Sequence, residues 1–216
     1  MNTKQKQLKT GLGLFLLFIL YTVSLKVIDV QKAGPQHSAV GYATINEYFF
    51  DKIGTSHFWY QITEIMGVFP LLIMGYFAVC GLYQLCTRKK LLLVDKEILR
   101  LGFLYFGIAV AYAFFEKVII NYRPILVEGH LEASYPSSHT FLAVAVLLSA
   151  FYLFKKEKGI IKIMSFLCLL VMSIIVIGRI LSGVHWITDI LGGILLGLSF
   201  VSFYIATTNK FEGIQN

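Results

Sequence analysis

Six long apolar segments divide the chain, and they constrain its fold more than any other feature. Their approximate boundaries are 10–29, 66–86, 100–120, 138–154, 161–180 and 187–207. A helix needs about 20 apolar residues to cross the hydrocarbon core of a bilayer, and most of these segments approach that length. The pattern predicts an all-α, polytopic membrane protein with six transmembrane helices, folded as a single membrane-embedded domain over residues 1–216.

Composition and charge distribution agree with a membrane protein and argue against a nucleic-acid-binding one. Hydrophobic residues make up 57% of the chain, and the mean hydropathy is +0.73. The net charge of +7 arises at the ends of the apolar segments and forms no basic patch, so no nucleic acid partner is expected. Cys80, Cys86 and Cys168 lie inside apolar stretches without metal-type spacing, and they predict neither a disulfide framework nor a metal site.

The basic residues predict how the helices are oriented, because short loops rich in Lys and Arg stay in the cytoplasm. Such residues precede segment 1 and fill the connections between segments 2 and 3 and between segments 4 and 5. These regions share one side of a six-helix bundle, so both termini are expected in the cytoplasm. The other loops are expected on the extracytoplasmic side of the cell (plasma) membrane. MNTKQKQLK and the apolar run after it resemble a secretory signal, but no small-x-small cleavage site follows. We therefore interpret segment 1 as a retained anchor.

The first loop, at about 30–65, mixes aromatic and charged residues in INEYFFDKIGTSHFWYQITEI. Such a mixture is typical of an amphipathic helix that lies in the membrane interface. An ordinary connection within the aromatic belt has a similar composition, and both interpretations stay open.

A first cluster of candidate site residues lies in EKVIINYRP, at the extracytoplasmic end of segment 3. Ionisable groups at the end of a membrane helix are costly unless they face a cavity or a partner. Lys117 lies near the end of this segment, and Pro124 disfavours helical geometry at Arg123. The alternative is that both side chains snorkel to phospholipid headgroups.

The second cluster is ASYPSSHT, residues 133–140, which directly precedes an uncharged apolar run. In the simpler interpretation, Ser137 or Ser138 caps the helix and His139 lies at the water interface. However, a helix N-terminus also presents free backbone N–H groups and a partial positive charge. The same stretch is therefore suited to bind an anion.

The third cluster is GRILSGVHWITD, in which His185 and Asp189 are four residues apart at the start of segment 6. On a helix they share one face, so the carboxylate is expected to accept a proton from one imidazole nitrogen. That bond would leave the other nitrogen as a base or nucleophile. Arg179 lies six residues before His185, across a turn marked by Ser182 and Gly183.

Together the clusters supply three cations, a helix N-terminus, two histidines and one carboxylate. A transferred phosphoryl group needs such an arrangement, with donors for its oxygens, a nucleophile on one side and an acid on the other. A metal site is the competing interpretation, but one carboxylate and two histidines among three cations are poorly suited to a dication.

The three stretches, in this order, resemble the signature of the type 2 phosphatidic acid phosphatase superfamily, the membrane lipid phosphatases related to vanadium haloperoxidases. The family pattern is a lysine followed by Arg-Pro, then Pro-Ser-Gly-His, then Ser-Arg with His and Asp at fixed offsets. RILSGVHWITD keeps the spacing of arginine, histidine and aspartate. The match covers about residues 117–189, and the six predicted helices agree with the family's architecture.

The resemblance implies roles for eight residues. His185 would attack phosphorus to form a phosphohistidine, Asp189 would orient and activate it, and His139 would protonate the leaving group and later activate water. The phosphate oxygens would be held by the others, namely Lys117, Arg123, Arg179, the Ser137 hydroxyl and the backbone N–H of Ser138. The family implies neither a metal nor another cofactor.

This sequence departs from the family pattern at three positions. Lys117 and Arg123 have five residues between them where the pattern has six. Ser138 replaces a glycine, and Gly178 replaces the serine that often precedes the arginine.

The resemblance implies a lipid phosphate or diphosphate as substrate, with membrane lipids around it. An extracytoplasmic site favours undecaprenyl diphosphate, with phosphatidylglycerophosphate or phosphatidic acid as alternatives. A transporter that binds the same anion without cleaving it is the rival from another class. Gly193 and Gly197 form a stripe of small residues on the face of Asp189, which predicts either close packing within the chain or a homodimer contact.

Overall fold

The computed structural model describes residues 3–208, so the last eight residues of the predicted domain lie outside the described part. Helices account for nearly all regular structure there, and residues 3–208 contain isolated β-bridges but no strand. The helices are α1 (Thr3–Ser24), α2 (Ala43–Ile53), α3 (His57–Arg88), α4 (Lys96–Lys117), α5 (Ser138–Phe154), α6 (Gly159–Ser182) and α7 (Ile187–Thr207). The predicted all-α class is confirmed.

Five of the described helices, α1, α3, α4, α6 and α7, are long and apolar enough to cross a membrane. The chain is therefore a multi-pass membrane protein, as predicted. The remaining predicted segment, 138–154, corresponds to the shorter α5. At 1.5 Å per residue α5 is about 25 Å long, below the roughly 30 Å of a hydrocarbon core. A sixth span therefore stays a prediction.

Helix α5 lies at the centre of the bundle and packs against α3, α6 and α7. Its middle, Ala143–Leu147, is a π-helical turn in which all five residues are buried. A helix that is apolar on all sides and enclosed by others needs no polar face. This position places the N-terminus of α5, with its cluster of candidate residues, among the ends of the surrounding helices.

The glycine stripe of α7 lies against α5. An added Cβ at Gly197 would come within 2.7 Å of the Val144 side chain, and one at Gly193 within 2.9 Å of the Ser137 carbonyl oxygen. The stripe is thus used for close packing within the chain, the first of its two predicted roles. It is not exposed as a contact for a second copy.

The predicted loop at 30–65 contains α2, which is tied to the start of α7. The Asn46 side chain donates a hydrogen bond to Thr188 Oγ1 at 2.9 Å and accepts one from the Thr188 N–H at 3.3 Å. The predicted start of the second segment, at 66, was nine residues late, because α3 already begins at His57. Ser56 precedes it as the N-cap and accepts a hydrogen bond from the Trp59 N–H at 3.4 Å. An interfacial location for this region stays a prediction.

Candidate functional site

His185 lies in the short turn between α6 and α7, where it is buried with only 5% of its surface exposed. Its Nδ1 atom is 3.0 Å from the Ser134 hydroxyl. Its Nε2 atom is buried and has no hydrogen-bond partner within residues 3–208. The ring is therefore held through one nitrogen, while the other keeps its hydrogen-bonding capacity unused.

The Ser134 hydroxyl joins His185 to Asp189. It donates to Asp189 Oδ2 at 2.5 Å, whereas His185 Nδ1 and Asp189 Oδ2 are 3.9 Å apart. The expected direct hydrogen bond between imidazole and carboxylate is therefore not formed, because the serine side chain occupies the space between them. Since the hydroxyl proton points to Asp189, its oxygen accepts the Nδ1 proton, and Nε2 keeps a free lone pair.

Two further contacts show how the Asp189 carboxylate is oriented. It accepts the backbone N–H of Trp186 at 3.0 Å, in a capping box at the start of α7. On its other oxygen it receives the Asn121 side-chain amide at 3.4 Å. Asp189 itself is fully buried. Helix capping and support of His185 are thus carried out by the same carboxylate.

The pKa of His185 lies well below its ordinary value. The main cause is burial, which disfavours the charged imidazolium, and the nearby cations Arg123 and Arg179 add to the effect, as does His139. His185 is therefore neutral near pH 7, the state in which Nε2 can act as a nucleophile or base.

A cavity of about 450 Å³ opens beside His185. One wall is apolar and aromatic and comes largely from α4, including Tyr112 and Phe115. The polar part of the lining consists of Glu116, Arg123, Glu132, Ser134, Ser138 and His185. A polar end next to a buried imidazole and an apolar wall suit an amphipathic ligand.

Ser137 is the N-cap of α5, but its hydroxyl makes no capping hydrogen bond. Its Oγ atom is buried and unpartnered in the described part of the chain, while its own N–H donates to the Asp189 carbonyl at 3.0 Å. Ser137 therefore occupies the N-cap position that the simpler interpretation gives it, but its side chain does not make the capping hydrogen bond. The first N–H groups of α5, including that of Ser138, remain available to an acceptor.

Arg123 and Lys117 lie in different surroundings. Arg123 lines the cavity, and its Nε is 3.2 Å from the Glu132 carboxylate. Lys117 is the last residue of α4 and is exposed, whereas Glu116 faces the cavity. Lys117 is one residue closer to Arg123 than the lysine of the family pattern, and one residue corresponds to a turn of about 100° around a helix. The position that the family's lysine would take on this wall is therefore occupied by Glu116.

His139 and Arg179 approach Glu64, a residue outside the three motif clusters. Glu64 Oε1 accepts a hydrogen bond from Arg179 Nη2 at 2.7 Å and lies 3.6 Å from His139 Nε2. The Arg179 side chain is completely buried, and the Glu64 side chain is 44% exposed. Glu64 reaches this position because α3 begins earlier than predicted.

The structure therefore brings seven of the eight predicted site residues together, of which Arg123, Ser138 and His185 line the cavity, whereas Lys117 is exposed at the end of α4. It adds Ser134, Asn121 and Glu64. Ser134 belongs to the quoted stretch ASYPSSHT, and Glu64 is the only Asp, Glu, Lys or Arg between residues 53 and 87. Both residues could therefore be recognised in the sequence as candidates for the site. Within residues 3–208, no three His, Cys, Asp or Glu side chains form a group that would hold a metal ion.

Residues 115–212 match the family model of the PAP2 superfamily. This part of the chain belongs to the PAP2 superfamily. The matched region contains all eight predicted site residues and confirms the resemblance drawn from the three motifs. Glu64 lies outside it.

A PAP2 fold of known structure is similar to nearly the whole chain. It is the PAP2-type phosphatidylglycerolphosphate phosphatase from Bacillus subtilis, with a TM-score of 0.62 and 18% identity, and the match covers 91% of this chain and 93% of that one. Helices outside the matched PAP2 region thus also follow a known arrangement.

A sequence relative is the bacitracin transport permease protein BcrC of Bacillus licheniformis. It is 33% identical over 103 residues, which are 44% of this chain and 47% of the relative. The similarity thus spans about half the length of each protein.

Proposed function

We propose that this protein is an integral membrane lipid phosphatase that acts through a phosphohistidine on His185, without a metal ion. The observation that carries the proposal is the state of the His185 ring. Nδ1 is engaged through Ser134 with Asp189, while Nε2 is buried and unpartnered, and the residue lines a cavity of about 450 Å³. A neutral imidazole held in this way is an activated nucleophile.

In the first step, His185 Nε2 attacks phosphorus and forms a P–N bond while the P–O bond to the leaving group breaks. The leaving oxygen takes a proton from His139, and the imidazolium of His185 is stabilised through Ser134 by Asp189. Arg123, Arg179 and the amino end of α5 offset the negative charge on the remaining phosphate oxygens.

In the second step, water attacks the phosphohistidine, and the P–N bond breaks to release phosphate. His139, now neutral, accepts the proton of that water, so its original state returns at the end of the cycle. Both steps balance with the groups present in this chain.

The cavity favours a lipid as substrate. Its polar end at His185 suits a phosphate, and its aromatic wall on α4 suits the first part of an apolar chain that enters sideways from the bilayer. We propose a plasma-membrane protein with six spans and cytoplasmic termini, because the basic residues concentrate in the loops on one side. The site then faces outward, which favours undecaprenyl diphosphate over lipids made on the inner face.

Phosphatidylglycerophosphate and phosphatidic acid are the alternative substrates within the same activity. The B. subtilis protein of similar fold is a phosphatidylglycerolphosphate phosphatase, although the 18% identity supports only a common fold. Release of phosphate from each lipid by purified protein separates these substrates, and a strong preference for phosphatidylglycerophosphate overturns the first choice.

A transporter is the second candidate function, since the B. licheniformis relative is named a transport permease. The two functions differ in whether the phosphate ester is broken. For the phosphatase, His185→Ala abolishes phosphate release, and wild type forms an acid-labile phosphoenzyme that His185→Ala lacks. Full phosphate release by His185→Ala contradicts the phosphohistidine mechanism. Uptake of an intact lipid or antibiotic by proteoliposomes, without phosphate release, favours the transporter.

The metal-independent mechanism has a separate test. Turnover is expected to stay constant in excess EDTA, since the proposed steps use two arginines, the amino end of α5 and two histidines in place of a Lewis acid. Loss of activity with EDTA and recovery with a divalent ion contradict this part of the proposal.

A further inference from the structure

Glu64 contacts two residues to which the proposed mechanism gives separate tasks. Its Oε1 atom binds the guanidinium of Arg179 at 2.7 Å and lies 3.6 Å from the imidazole of His139. Arg179 belongs to α6 and His139 to α5, while Glu64 belongs to α3. One carboxylate oxygen therefore lies close to side chains from two other helices.

The buried charge of Arg179 requires such a partner. The guanidinium is fully buried, and removing the partner of a buried charge is strongly unfavourable. Glu64 occupies only Nη2, because Nε and Nη1 have no hydrogen-bond partner within residues 3–208. Arg179 is thus anchored on one nitrogen and keeps donors on the other two for phosphate oxygens.

The packing of α3 depends on two glycines that permit this contact. An added Cβ at Gly178, next to Arg179, would lie 2.5 Å from the Thr63 methyl group. One at Gly67 would lie 2.8 Å from Cδ2 of His139. Gly178 is also a position where this chain departs from the family's serine, and the close approach of Thr63 accounts for the glycine.

We infer that Glu64 is a positioning residue for phosphoryl transfer, which holds the Arg179 guanidinium and the His139 imidazole in the orientation that the phosphate needs. The inference rests on the proposed function. Glu64 acts through these two side chains and does not bind the phosphate itself, since two negative groups in contact repel each other.

Activity of Glu64→Ala and Glu64→Gln in purified protein is the first test. Glu64→Ala is expected to lower kcat by about 10- to 100-fold, the effect of losing a hydrogen bond to a charged group. Glu64→Gln keeps an oxygen acceptor for Arg179 and is expected to recover part of this loss. Glu47→Gln is the matched control, because Glu47 is an exposed carboxylate on α2, and it should retain wild-type kcat. Equal activity of Glu64→Ala and Glu47→Gln overturns the inference.

A double-mutant cycle separates positioning from a general role in stability. If Glu64 acts through Arg179 and His139, then Glu64→Ala costs clearly less in the Arg179→Ala background than in wild type, because only the contact with His139 is left to lose. The double variant also removes both charges, so it avoids the unpaired buried arginine that could prevent Glu64→Ala from folding. Independent, multiplicative losses in the two backgrounds overturn the inference.

Binding of inorganic phosphate, measured by titration calorimetry, keeps the inference testable if wild type releases no phosphate from any lipid. That result by itself contradicts the proposed function. Glu64→Ala is then still expected to weaken phosphate binding by about five-fold or more, with no further loss in the Arg179→Ala background. Unchanged affinity in Glu64→Ala overturns the role of Glu64.

Discussion

The Ser134 hydroxyl lies between His185 and Asp189, 3.0 Å from the imidazole Nδ1 and 2.5 Å from the carboxylate. His185 and Asp189, four positions apart in sequence, are thus linked by hydrogen bonds through Ser134, which belongs to a different segment of the chain. The proton on Nδ1 is held by a neutral hydroxyl, and the negative charge of Asp189 acts on it through that hydroxyl. Ser134 therefore helps to hold the proton on Nδ1, which leaves the lone pair of Nε2 available for nucleophilic attack.

Ser134→Ala is expected to lower kcat by about 10- to 100-fold, because the 3.9 Å gap between Nδ1 and the carboxylate is too long for a direct hydrogen bond. Steady-state phosphate release measures the effect. Ser173→Ala, at an exposed serine of α6 that bonds only to its own helix, is the matched control. Wild-type kcat in Ser134→Ala would show that His185 and Asp189 can pair directly.

Lys117→Gln is expected to change kcat/KM by less than about three-fold, because exposed cations contribute little. Arg123→Gln should lower it by about 10- to 100-fold, since Arg123 faces the cavity and its side chain is only 16% exposed. Substrate titrations of the two variants make the comparison. Equal losses would mean that the end of α4 rearranges when substrate binds.

Gly67→Ala is expected to lower kcat by about ten-fold or more, since the new methyl group would displace the His139 imidazole and slow proton transfer. Gly75→Ala is the control on the same helix, where an added Cβ meets nothing within 4 Å. The control should keep wild-type activity and unfold at the same or a slightly higher temperature. Comparable kcat values for the two variants contradict the assigned position of His139.

The pH dependence of kcat/KM reports the protonation of His185 in the free protein. Its lowered pKa keeps the ring neutral as the pH falls below its ordinary value of about 6.5, so the acidic limb should lie below that pH. Arg123→Gln removes a positive neighbour, raises the pKa and should shift the acidic limb to higher pH. An acidic limb at or above pH 6.5 that Arg123→Gln leaves in place contradicts this protonation scheme.

Local patterns were enough to predict much of the site. The spacing of Arg179, His185 and Asp189 predicted that they meet at the start of the last helix, and the start of α5 at Ser138 was predicted correctly. The apolar segments predicted the last helix, Ile187–Thr207, at its observed boundaries. These features depend on residues close together in the chain, where periodicity and turn signals are direct consequences of helix geometry.

Glu64 shows where such patterns fail. It is an isolated charge in an apolar stretch, but the aromatic residues before it favour a loop, and the hydropathy pattern predicts a second segment that begins only at residue 66. The helix begins instead at His57, after the N-cap Ser56, and it packs against α6, where Gly178 accommodates Thr63. Glu64 and Arg179 are 115 positions apart in sequence, and no regular spacing of residues predicts a contact between them.

The sequence by itself determined that this chain is a helical membrane protein, that residues 115–212 match the PAP2 superfamily, and which histidines, arginines and carboxylate lie in the three motifs. Only the tertiary structure decided that Ser134 separates His185 from Asp189, that Glu116 replaces Lys117 at the cavity, and that Glu64 holds Arg179 and His139. The physical reason is that motif residues are related by the regular rise and turn of a helix. Bridging side chains are brought together by the packing of separate helices, which depends on the shape of the whole bundle.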